Sequence, residues 1–168
     1  LKKAYNWIGF VRGNHDDPSY FQEEKICYER FRCVPDYSVI QACGLDILCV
    51  GGGVSIDRLA RQRDDARYIR KETASYWADE MPVFDEDKIK EISDYCLIDT
   101  VVTHTAPSFC PLLDKNGLRG WAAYDPKLLV DCDMERITMD RIYQTLKESG
   151  HPVNKWYYGH FHQKWTGK

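Results

Sequence analysis

Three short apolar runs in this sequence each break off at a histidine. Tyr5–Val11 leads into Gly13-Asn14-His15-Asp16, Leu97–Thr103 stops at His104, and Lys155–Tyr158 feeds Gly159-His160-Phe161-His162. Runs of this length, rich in Val, Ile, Tyr and Trp, read as buried β-strands. Strand ends hold side chains rigidly and leave them reachable, which a site assembled from distant parts of a chain requires. One such histidine is ordinary, usually structural or merely exposed. Four of the five histidines at the mouths of three strands are a constraint, and they are expected to converge on one pocket.

The rest of the chain alternates strands and helices. Tyr37–Ala42 and Asp46–Val50, separated by Cys43-Gly44-Leu45, suit a hairpin, and Gly51-Gly52-Gly53 then breaks the sheet. Asp85–Ser93 reads as a short helix with Ile89 and Ile92 on one side. Pro107 and Pro111 mark a loop running towards Gly120. Met139, Ile142, Tyr143 and Leu146 share one face of the clearest helix, from about Asp133 to Glu148, which Gly150-His151-Pro152 terminates. Ser55–Trp77 is rich in arginine and partly helical in composition. Arg58, Arg61, Arg63, Arg67, Arg70 and Lys71 read as a solvated face, or as a rim that receives an anionic substrate. The alternation predicts an α/β fold.

A chain of 168 residues fits one domain, here spanning 1–168, and can bury a core. Its net charge of −3 lacks the positive field of a general nucleic-acid binder, so such a partner is not indicated. No apolar run approaches the ~20 residues of a membrane span. Seven cysteines, an odd count without CxxC spacing, disfavour a zinc ribbon or redox motif. Reduced thiols in a cytoplasm are the expectation. The chain opens at Leu1 with no initiator Met and enters a strand at once, so it is expected to be part of a longer domain, incomplete at its N-terminus.

The chemistry is concentrated in three motifs. In Gly159-His160-Phe161-His162, an extended backbone would point both imidazoles to one side and Phe161 into the core, while Gly159 would let the backbone come close to the site. His104 ends its strand just before Thr105-Ala106-Pro107; the plain alternative is a histidine capping a loop. In Gly13-Asn14-His15-Asp16, Asn14 offers a neutral oxygen to a metal and His15 can protonate a leaving oxygen, although the same composition also makes a β-turn.

Taken in order, Gly13-Asn14-His15-Asp16, His104 and Gly159-His160-Phe161-His162 resemble the motifs of the calcineurin-like metallophosphoesterases, and the similarity runs from Gly13 to His162. Gly51–Arg58 and Ser75–Glu80 are weaker echoes of a protein-phosphatase-like subgroup. The resemblance implies a metallophosphoesterase-like β-sandwich flanked by helices, hydrolysing phosphate esters at a dinuclear metal site. It assigns Asn14, His104 and His160 to the second metal and His162 to the first, with His15 as proton donor or transition-state stabiliser. Two divalent ions, Mn, Fe or Zn, suit such ligands. The substrate would be a phosphate ester in a phosphoprotein, a nucleotide or a small molecule.

The family's Asp-x-His and Gly-Asp-x-x-Asp motifs are absent from these 168 residues. Their carboxylates are expected upstream of Leu1, and the chain alone is expected to be inactive. The other readings are a nuclease or nucleotide pyrophosphatase of the same fold, and a non-catalytic binding scaffold.

Overall fold

The computed structural model describes residues 6–22, 25–67, 74–110, 116–162 and 166–167. Two sheets and several helices make a mixed α/β architecture, as the alternation predicts.

The larger sheet grows from a hairpin. Strand β4 (Ser38–Ala42) pairs antiparallel with β5 (Leu45–Val50) across Cys43 and Gly44. Both turn residues have positive φ, 52° and 75°, the geometry of a type I′ turn, whose twist matches that of the flanking strands. The second strand therefore begins at Leu45, one residue before the sequence reading placed it. Beyond β5 the sheet continues in parallel through β6 (Thr100–Thr103) and β7 (Lys155–Tyr157). Leu48, Cys49 and Val50 are buried consecutively, as expected of a strand covered on both faces.

The smaller sheet holds β1 (Ile8–Val11), β2 (Cys27–Tyr28) and β3 (Phe31–Val34), with β3 central and parallel to β1; a single helical turn, α1 (Ser19–Gln22), lies between β1 and β2 in the chain. Its first strand departs from expectation. Trp7, Ile8 and Phe10 are exposed at 44%, 39% and 41%, although Tyr5–Val11 reads as a buried run. Among the described residues β1 pairs with β3 alone, and the Phe10 ring lies 5.7 and 6.3 Å from those of Phe21 and Phe31. Tyr5 lies outside the described residues.

Parallel pairing is what positions the site. The register Val50↔Thr103 and Val102↔Tyr157 brings the C-terminal ends of β5, β6 and β7 to one edge. The Gly52 N–H donates to Arg12 O at 2.8 Å, which draws the end of β1 to the same place. The Arg12 guanidinium secures the junction through Asp36 at 2.9 Å and the carbonyl of Glu80 at 2.9 Å, and Asp36 accepts from the Gly51 N–H.

Helices α2 (Arg58–Arg67), α3 (Glu86–Ser93), α4 (Asn116–Ala122) and α5 (Leu128–Glu148) complete the described elements. Asp85 caps α3 by accepting from the Lys88 N–H. Ile89 and Ile92 from α3 meet Met139, Ile142 and Leu146 from α5 in a core with Leu48, Val50, Ile98 and Val101. Gly150 takes φ 84°, and the His151 N–H reaches back to Leu146 O, a Schellman stop. α5 starts at Leu128, earlier than its periodicity suggests, because exposed Leu129 and Val130 obscure the stripe while Leu128 anchors it.

Three further readings change. The run from Leu97 is only partly strand: pairing starts at Thr100, and Leu97 is exposed. The proline-marked loop contains α4. The arginine segment is no uniformly solvated face, because Arg58 pairs with Asp125 at 2.5 Å and Asp131 at 2.6 Å, and Arg61 is buried. Arg70 and Lys71 lie outside the described residues. Among the described residues no helix is long and apolar enough to cross a membrane. All seven cysteines are free thiols.

Candidate metal centre

At the shared edge three side chains meet. Nε2 of His104 lies 2.8 Å from Oδ1 of Asn14 and 3.1 Å from Nδ1 of His160, with the two rings at 4.9 Å and 61°. Donors that share an ion at ~2.1 Å stand about 3.0–3.4 Å from one another, so this spacing fits one ion with little movement. Glycines make the room. A Cβ on Gly53 would come within 3.1 Å of His104 Cδ2 and 3.4 Å of His160 Cε1, and one on Gly13 within 3.0 Å of His104 Cε1. Gly159, expected to allow the close approach, does not: its Cβ would meet nothing nearer than 3.9 Å.

The route by which His160 arrives also differs from expectation. β7 ends at Tyr157, and His160 and His162 both take positive φ, 64° and 52°. A left-handed turn, not an extended strand, aims His160 at His104 and leaves His162 exposed. Phe161 packs edge-on against His160 at 5.0 Å and beneath Arg136 at 5.7 Å, beside the site rather than in the core.

His15 bonds elsewhere, although it is near enough to lower both His104 and His160. Its Nε2 meets Nη2 of Arg61, and the same Nη2 pairs with Asp57 at 2.9 Å. Gly13 N–H donates to Asp16 at 2.7 Å, closing the turn that carries Asn14 and His15.

The family model described as calcineurin-like phosphoesterase matches residues 1–164. The chain belongs to that family. No curated protein and no solved structure matches it. Calcineurin-like phosphoesterases are metal-dependent hydrolases of phosphate esters and generally use divalent metals.

In this member of the family, electrostatics at the edge suit a cation. Burial depresses His104 to about 4, and burial together with His104 depresses His160 to about 3, so both imidazoles are neutral with a lone pair to offer. Burial and then Arg61 lower His15. His162 is near enough to lower all three. Among the described residues no three His, Cys, Asp or Glu side chains gather as a metal cluster; the third donor is the Asn14 amide. The set therefore fits one ion. For a second ion, these motifs offer only exposed His162.

Sequence reasoning missed three members of the phosphoesterase edge. Glu135 is buried, and desolvation pushes it up to about 7. Its Oε1 lies 3.9 Å from His160 Nε2, while the carboxylate accepts from Val54 N–H at 2.7 Å and the Thr105 hydroxyl at 3.1 Å. The signal was legible: Glu135 interrupts the buried stripe of α5 between Leu128 and Met139. Ser55 and Glu80 are buried too, and Ser55 bonds directly to Asn14. Ser55 lies within Gly51–Arg58 and Glu80 closes Ser75–Glu80, the two weaker echoes of the family, but no role was read for either residue.

Proposed function

We propose that this chain supplies part of the active site of an enzyme that hydrolyses phosphate esters at a pair of divalent ions, Mn, Fe or Zn, in the manner of a serine/threonine-phosphatase-like phosphoesterase. Asn14, His104 and His160 hold one ion, His162 contributes to the other, and His15 serves the leaving group. The observation that carries the reading is the convergence of Asn14 Oδ1 and His160 Nδ1 on His104 Nε2, within 2.8 and 3.1 Å. The ions, when bound, supply Lewis acidity to phosphoryl oxygens and acidify water.

The chain's own groups do the rest. Two neutral imidazoles and an amide oxygen bind without charge, so carboxylates are needed to bring two cations close together. Asn14 is buried and His104 and His160 are half-buried, which strengthens their interactions relative to open water. His15 is exposed, and Nε2 is the atom that would serve the leaving oxygen. In the resting arrangement that atom faces Arg61, so it accepts there and the ring proton sits on Nδ1. A bound phosphoryl oxygen would draw the guanidinium away; Nε2 would then take a proton from solvent and pass it to the departing alkoxide, Nδ1 keeping its own hydrogen. Substrates of this class are phosphoproteins, nucleotides or small phosphate esters. Seven unpaired thiols, Cys27 and Cys43 among them exposed, support a reducing compartment such as the cytoplasm.

The test is hydrolysis of a chromogenic phosphoester with and without Mn²⁺. One protein would be this chain and the other a version extended by Asp-x-His and Gly-Asp-x-x-Asp segments. The extended protein should be active only with the metal, and this chain should show negligible turnover. Metal-independent turnover, or equal rates from the two, would overturn the reading.

A further inference from the structure

An asparagine can serve a cation with one end of its amide only. Oδ1 has lone pairs to give; Nδ2 presents two hydrogens and repels the ion. The two orientations have nearly the same shape, so something must select between them. The imidazoles do not, because a neutral ring nitrogen can donate or accept according to its tautomer.

Ser55 does select. Its hydroxyl lies 3.0 Å from Asn14 Nδ2, 2.6 Å from Glu80 Oε2 and 3.3 Å from the Asn14 carbonyl. It has a single hydrogen to give, and the last two partners are acceptors. Whichever of them takes that hydrogen, the lone pairs of Oγ are what face the Asn14 side-chain amide. The amide must then turn Nδ2 towards Ser55, which leaves Oδ1 aimed at His104. Glu80 is itself immobilised: Oε1 accepts from the Ser55 N–H at 2.7 Å, while its carbonyl accepts from Gly53 N–H at 3.0 Å and Arg12 at 2.9 Å. Ser55 is fully buried and Glu80 is 2% exposed, so water does not compete for these bonds.

We infer that Ser55, backed by Glu80, is a positioning residue that fixes the Asn14 amide with its oxygen towards the cation. The inference rests on the metal-binding reading above and adds to it the group that makes Asn14 a ligand. Second-layer partners of this kind are worth roughly 10–100-fold in metal affinity.

An aspartate at position 14 has two equivalent oxygens and needs no such guidance, which gives a direct test. Mn²⁺ would be titrated, at about pH 8 so that the carboxylates are ionised, into wild type, Ser55→Ala, Asn14→Asp and the double variant, with the free ion followed by EPR. Ser55→Ala should weaken Mn²⁺ binding about tenfold in the wild-type background and not at all when combined with Asn14→Asp. An equal loss in both backgrounds, or none in either, overturns the inference. A wild type that binds no Mn²⁺ overturns the metal centre and this inference with it. Binding that is indifferent to Ser55 overturns this inference alone. Should Ser55→Ala not fold, NOEs in the metal-free wild type decide. Asn14 amide protons close to the Ser55 β-protons support the orientation, and amide protons close to the His104 ring refute it.

Discussion

Asn14 and His104 lie ninety positions apart in sequence, yet Oδ1 of one is 2.8 Å from Nε2 of the other. A hydrogen bond alone would hold the pair, but His160 Nδ1 reaches the same Nε2 at 3.1 Å. On the proposed reading these three groups bind one cation. His160→Ala should therefore lose divalent metal first and activity as a consequence. Metal content of the purified extended enzyme, by mass spectrometry, checks this; full metal occupancy in an inactive variant would contradict it.

His15 should behave differently. Replacing it with Ala in the extended enzyme should lower kcat by roughly 10²–10⁴-fold, the usual worth of a general acid, while metal content changes little. The measurement pairs turnover with metal analysis. Equal metal loss in His15→Ala and His160→Ala would remove the division of roles.

Gly53 offers a steric probe. A methyl there would sit 3.1 Å from His104 and 3.4 Å from His160, tighter than ordinary contact. Gly53→Ala should spread the two rings, weaken Mn²⁺ binding and cost about 1–3 kcal/mol in overpacking. The same change at Gly159, where the nearest atom is 3.9 Å away, should leave binding unchanged. Titrations of both variants, with urea unfolding alongside, separate the two positions.

A fifth histidine lies outside the site and sets an acid limit on the fold. His151 accepts from the Ile98 N–H at Nδ1, 2.9 Å, and its Nε2 lies 2.8 Å from the Ser93 hydroxyl. Burial lowers its pKa below 6.5. The unfolded chain thus binds the proton more readily than the folded one. This contribution to stability is present above about pH 6.5 and is lost as pH falls through the folded value. Urea unfolding of metal-free wild type and His151→Gln from neutral to mildly acidic pH should show wild type losing up to ~1.4 kcal/mol per pH unit relative to the variant. Parallel pH profiles would refute the assignment.

What the sequence made legible was local. The turn at Cys43-Gly44, the stripe of Met139, Ile142 and Leu146, and the stop at Gly150 follow from residue types and spacing. The three motifs that meet at the sheet edge were also readable, since each ends or follows a strand. What was hidden depends on distant partners. Arg58 turns inward because Asp125 and Asp131 arrive from elsewhere to neutralise it. The exposure of Ile8 and Phe10 is set by what covers their sheet, and residue pattern says nothing of that. His160 reaches its neighbours through a positive φ, which histidine seldom adopts and strand reasoning does not anticipate.

The central claim is that Asn14, His104 and His160 share one divalent ion. An anomalous difference map from Mn²⁺-soaked crystals tests it most directly. The account predicts a peak roughly 2.0–2.2 Å from His104 Nε2, His160 Nδ1 and Asn14 Oδ1 together. A peak elsewhere, or none at saturating Mn²⁺, would contradict it.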